Sequence, residues 1–178
     1  MALPALASAG ELAAWMQLTP DALPASAPLV LDTVSAIVRA EARQGFTRRT
    51  TTVELLQRDG FVTLPQRPVI QIVAVRSGSV TLDERTWHLF RDRLHLPPGT
   101  GLVRVTYTHG YNETPGDVKA VVLTAAARVL NNPSDLRQET VGGVSVTYAA
   151  ETIGASLAPA DRDLLARYRR RVAVVDTA

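Results

Sequence analysis

Cysteine is absent from all 178 residues, which excludes disulfides, thiolate metal sites and cysteine nucleophiles and fits an intracellular chain. Lysine is nearly absent: Lys119 stands alone, so 18 of the 19 basic residues are arginine. No apolar run approaches the roughly 20 residues that a membrane span needs. The opening MALPALASAGELAAW lacks the basic start of a secretory signal. Aromatic residues make up 5% of the chain and do not interleave in sequence with its densest arginine cluster, which argues against a base-stacking platform there. The sequence contains no GxSxG, no GxGxxG after a strand and no Walker loop. His88, His95 and His109 have no carboxylate or cysteine at metal-ligand spacing and read as ordinary strand or surface histidines. The acidic pairs Asp83/Glu84 and Asp161/Asp163 are accounted for by turn and helix-start preferences. No catalytic, metal or cofactor site is therefore expected. A small hydrolase would require the three histidines to cluster.

What is present describes an ordinary globular protein with one real core: 46% hydrophobic and 20% charged residues. The net charge is +2 and the pI about 9.4. The arginine excess has two readings, a compositional bias of the coding sequence or contact with phosphates or carboxylates, which arginine grips bidentately.

The most informative stretch runs from Leu102 to Asn132. Val103, Val105 and Tyr107 alternate with Arg104, Thr106 and Thr108, the two-residue period of a half-buried strand. Thr114-Pro115-Gly116-Asp117 then reads as a helix start, with Thr114 as cap and Asp117 as capping-box acid. Val118, Val121, Val122, Ala125, Ala126, Val129 and Leu130 follow at helical spacing until Asn131-Asn132-Pro133.

Before this stretch, Ser8 to Glu11 forms a capping-box pattern for a first helix ending near Leu18. A second helix starts near Pro28, carries Val30, Leu31, Val34, Ile37 and Val38 on one face, and has Gly45 as its C-terminal cap. Residues 46 to 109 are β in character, with short strands at regular intervals that suggest an antiparallel meander or small barrel. Asp59-Gly60 is a hairpin turn, and Val69 to Val75, apolar on both faces, is the expected central strand. After the core helix, Gln138 to Tyr148 reads as a β-hairpin with Gly142-Gly143 at its tip. Val141, Val144, Val146 and Tyr148 need a surface to lie on. Pro159 opens a last helix with Leu164, Leu165, Tyr168 and Val172 as its apolar face. Arg167, Arg169, Arg170 and Arg171 fall in its last turn. The expected fold class is α+β: a small bundle of about four helices with an inserted antiparallel β subdomain and a protruding hairpin before the C-terminal helix. The expected parts are N-terminal helices over 1–45, the β subdomain over 46–109, the core helix over 110–133, hairpin and linker over 134–157, and the last helix and tail over 158–178.

Three stretches in this order and spacing, VRVTYTHGYNETPGDVKAVVLTAAARVLNNP, ETVGGVSVTYA and LAPADRDLLARYRRR, resemble the head–tail adaptor (head-to-tail connector) proteins of long-tailed bacteriophages. LPQRPVIQIVAVRSG resembles the β region of the same family, and the resemblance spans roughly Val53 to Arg171. It implies a single adaptor domain with a structural job in the neck of a virion assembled in the host cytoplasm. The family forms a homo-oligomeric ring, typically of twelve copies, that docks on the portal protein. The ring extends the DNA channel without sequence-specific binding and receives the next neck, stopper or tail component. No cofactor and no membrane are involved. On this reading Arg162, Arg167, Arg169, Arg170 and Arg171 are candidates for docking on the portal or a neighbouring subunit. Val141, Gly142, Gly143, Val144, Val146 and Tyr148 are candidates for an inter-subunit hairpin. The rival reading is an arginine-rich nucleic-acid-binding protein outside any neck ring, which would bind free DNA with steep salt dependence.

Overall fold

Ser8 sets the first helix. Its hydroxyl accepts the Glu11 N–H (3.2 Å) and Glu11 returns a carboxylate oxygen to the Ser8 N–H (2.8 Å), so two otherwise orphaned donors are satisfied reciprocally. In the computed structural model, which describes residues 3–132, 138–141, 144–147 and 156–169, this helix is α1 (Ala9–Trp15). It is shorter than the expected run to Leu18. Gln17 turns left-handed at φ 58°, and the Leu18 N–H bonds back to the Ala13 carbonyl at 2.9 Å, a Schellman ending without glycine. The second helix, α2 (Ala27–Ala42), closes the same way. Arg43, not Gly45, is the left-handed residue (φ 53°), and the Gln44 N–H reaches the Arg39 carbonyl.

The chain divides into two compact units, Met1–Gln44 with Thr114–Ala178 and Gly45–Glu113. In the first, α2 packs on α3 (Gly116–Asn131). The expected stripe is buried at Val118, Val121, Val122, Ala125 and Ala126, and Leu123 joins it. Across from it Leu31, Val34 and Val38 are buried on α2, and Leu12 on α1. The start of α3 differs from the expectation: Pro115 occupies the N-cap position and no side chain caps the helix. A buried serine, Ser35, accepts the Leu6 N–H at 2.9 Å and ties the N-terminal segment to α2. Lys119 on α3 bonds Glu11 on α1 at 2.6 Å. That bond, first among several, holds the Glu11 carboxyl down to about pKa 2.

The second unit has seven strands: β1 (Arg49–Leu56), β2 (Phe61–Thr63), β3 (Val69–Ser77), β4 (Val80–Thr81), β5 (His88–Phe90), β6 (Arg93–His95) and β7 (Leu102–His109). They are not a meander. One sheet has the order β1-β7-β3-β4 and the other β2-β6-β5. First and last strands pair in unbroken register from Arg49↔His109 to Leu56↔Leu102. Asp59-Gly60 does make a tight turn, with Arg58 and Phe61 exchanging two backbone bonds of 3.0 Å. Beyond it the two strands part into different sheets. Val62 and Leu94 of one sheet, with Leu64 and Leu96 just beyond the ends of its strands, meet Val75, Val103, Val105 and Tyr107 of the other in a shared core.

The central strand is β7. β3 is flanked on its far side only by the two-residue β4, at Arg76 and Ser77. Its pairing with β7 slips twice, between Val69 and Gln71 and between Ile72 and Ala74. The skipped residues, Ile70 and Val73, are exposed. The double-sided apolar pattern that suggested a fully buried strand is therefore the signature of two bulges, each shifting the side-chain alternation by one residue.

The fold class is the expected one, α+β, with four α-helices and antiparallel sheets among the described residues. Among the described residues no helix is long and apolar enough to cross a membrane.

Candidate docking site

The last helix, α4 (Pro159–Ala166), begins at a proline, whose fixed φ suits a first helical position. Its N-cap is Ala158, and only half of a capping box forms: the Ala158 N–H donates to Asp161 (3.1 Å), but alanine has no oxygen to return. Ala158→Ser should supply the missing acceptor and stabilise the helix start by about 1 kcal/mol, read as a raised unfolding midpoint in a thermal melt. Leu165 and the preceding Leu157 are buried, whereas Leu164 is exposed.

The expected arginines follow the helix instead of filling its last turn, since α4 stops at Ala166. They are not equivalent. Arg167 pairs with Asp117 of α3, and its guanidinium lies over the Tyr168 ring at 5.2 Å. The Tyr168 hydroxyl bonds the same Asp117 carboxylate at 2.8 Å. Arg169 pairs with Glu41 of α2 and also donates to the Glu41 carbonyl at 2.7 Å. Arg128 of α3 bonds Asp161 at 2.5 Å. Asp117, expected as a cap, is thus an anchor for the segment after α4. Arg162 is exposed and pairs with no carboxylate among the described residues. Arg170 and Arg171 lie outside the described residues, as does Val172.

The hairpin strands fall where expected, β8 (Gln138–Val141) and β9 (Val144–Thr147), with Val141 opposite Val144 and Val146 opposite Glu139. They pair with each other and with no other strand among the described residues. Gly142, Gly143 and Tyr148 lie outside the described residues.

The three histidines do not gather into a site. His88 and His95 stack across β5 and β6 with centroids 4.6 Å apart. His109 is fully buried at the end of β7, with Nε2 3.1 Å from the Thr51 hydroxyl and Nδ1 unpaired. Burial above all, then the positive charge of Arg49, depresses its pKa to about 4. Among the described residues no group of three histidine or carboxylate side chains could hold a metal ion.

A helical bundle into which an antiparallel two-sheet unit is inserted, with a hairpin and a short helix following the core helix, is a fold found again in chains of solved particle structures. The chain is similar to a chain in the neck of an empty GTA particle computed with C6 symmetry, at 21% identity and TM-score 0.62, over 98% of this chain and 96% of that one. It is also similar to one in the neck of the native GTA particle computed with C12 symmetry, at 20% identity and TM-score 0.56, over 98% and 99%. A chain in the virion of the native gene transfer agent (GTA) particle gives 21% identity and TM-score 0.62, over 96% and 93%. No protein-family model matches the chain, and no curated protein matches it.

Proposed function

We propose that this chain is a structural neck protein, the head–tail adaptor of a phage-like particle, which assembles as a ring on the portal and carries the next neck or tail component. The observation that carries this reading is the end-to-end likeness of fold to a neck chain, which leaves neither protein with a large unmatched part. The C6 and C12 symmetries of the similar necks support a ring, with twelve copies as the expected number. Ring closure requires two different, complementary patches on each subunit. The hairpin of β8 and β9, paired only with itself among the described residues, is proposed for one of them.

The polar ties of the last segment refine the docking roles. Arg167 and Arg169 serve first to clamp the segment onto α3 and α2. Arg162, Arg170 and Arg171 are proposed for the acidic groups of the portal or a neighbouring subunit. DNA passes through such a ring without sequence-specific binding. Arginines already engaged by Asp117 and Glu41 favour this reading over a free grip on nucleic acid.

The test is co-purification with the portal protein encoded in the same genome, using the full chain and a variant lacking residues 159–178. A ring-on-ring complex that the truncation abolishes is expected. Absence of any complex, together with salt-sensitive binding of free DNA, would overturn the reading in favour of a nucleic-acid-binding protein.

A further inference from the structure

The three-stranded sheet of the β unit presents a second basic surface, remote in sequence from the C-terminal arginines. Its register sets Phe61, His95 and His88 in one row and Thr63, Arg93 and Phe90 in the next row on the same face. The alternate row of Val62, Leu94 and Leu89 packs into the core. On the outer face the rings and guanidinium groups are already stacked. Arg93 lies over Phe61 at 4.8 Å, Arg91 over Phe90 at 5.6 Å, and His88 lies flat on His95. Phe90 is nevertheless 62% exposed. Neither Arg91 nor Arg93 pairs with a carboxylate among the described residues. Asp92 between them lies 3.9 Å from Arg67. The whole unit holds nine arginines against six carboxylates (Glu54, Asp59, Asp83, Glu84, Asp92 and Glu113), a net charge of +3.

We infer that this face docks a protein partner that presents carboxylates, with Arg91 and Arg93 receiving the acids and Phe90 supplying the apolar anchor. A guanidinium held over a ring is partly ordered and keeps N–H groups for a carboxylate, so binding there loses less side-chain entropy than at a free arginine. Arginine and an exposed aromatic side by side are residue types enriched at protein interfaces. Nucleic acid fits less well. Phe61, His88 and His95 already stack against the chain's own side chains, which leaves Phe90 as the one ring open to a base, and two arginines give little counterion release. The inference does not depend on the neck reading.

The test uses the full chain and follows the imidazole NMR signals of His88 and His95 during titration with an oligoglutamate peptide, and separately with an oligothymidylate of matched charge. The peptide is expected to shift both signals. Arg91→Gln with Arg93→Gln should weaken its binding roughly tenfold, whereas Arg76→Gln, on the exposed side of β3 in the other sheet, should leave it unchanged. Unchanged Trp87 fluorescence in a Trp15→Phe background would show that the double variant is folded. No shift with the peptide, or equal weakening by Arg76→Gln, would overturn the inference. So would oligothymidylate binding tighter than the peptide and lost in Phe90→Ala. Self-association of the chain abolished by the double variant would instead make the occupant a second copy, and would overturn it as well.

Discussion

Gly110→Ala is expected to destabilise the β unit by about 4 kcal/mol, combining a strained backbone with a steric clash. Gly110 closes β7 at φ 92°, a region that side-chain-bearing residues rarely adopt. A Cβ there would stand 2.3 Å from the Thr47 carbonyl oxygen and 2.7 Å from the Thr47 carbonyl carbon. Both are backbone atoms, so no rotamer change relieves the contact. The surroundings cannot shift freely either. The Gly110 N–H is bonded to the Pro68 carbonyl (3.0 Å), the Tyr111 N–H to Phe46 (3.1 Å) and the Arg48 N–H to Tyr111 (3.0 Å). Three segments of chain meet at this one residue. Gly99 is the control: it also has positive φ (77°), but a Cβ there meets nothing within 4 Å, so Gly99→Ala should cost only about 1 kcal/mol. Urea unfolding followed by Trp87 fluorescence in a Trp15→Phe background reads the β unit alone, because each unit holds one tryptophan. Equal losses in the two variants would show that the approach to Thr47 does not limit stability.

Local chemistry was legible in the sequence, and pairing across distance was not. The Ser8–Glu11 capping box, the Asp59-Gly60 turn and the α3 stripe each depend on residues within about two helical turns, and each is found. The sheet order is different in kind. β1 and β7 are separated by the other five strands, and nothing in either sequence names its partner. The arginines after α4 were conspicuous, but Asp117 and Glu41, which engage two of them, lie 50 and 128 residues away from Arg167 and Arg169. Phe61 and His95 share a row only because β2 pairs with β6, so the interleaving of aromatic and basic groups on the small sheet exists in space and not along the chain. His109 was within reach of sequence reasoning. The alternation of Val103, Val105 and Tyr107 continues to it in phase, and all four residues are fully buried.

That burial makes acid the sharpest test of the β unit. Unfolded, the His109 imidazole titrates near 6.5; folded, burial and Arg49 hold it to about 4. Between those values the unfolded chain binds a proton that the folded chain does not. Stability of the unit is therefore complete above about pH 6.5 and falls as the pH drops toward 4, by about 3 kcal/mol in all. No carboxylate is bonded to the ring to compensate: its hydrogen-bond neighbour is the Thr51 hydroxyl, Tyr107 lies against it at 5.1 Å, and the charge it feels is that of Arg49. In the helical unit the order is reversed. Glu11, normally near 4.5, is held to about 2 by Lys119 and Ser8, so its contribution persists through the histidine window and is lost only between about pH 4.5 and 2. It is also smaller, because that ion pair is open to solvent. Urea unfolding of the Trp15→Phe variant, repeated from pH 7 to pH 4, should show the β unit weakening across the whole interval. His109→Gln should start about 1 kcal/mol lower at pH 7, since the amide replaces a fitted ring, and then lose the slope attributable to the imidazole. A slope that survives this substitution would assign the acid sensitivity to the unit's carboxylates and remove it from His109.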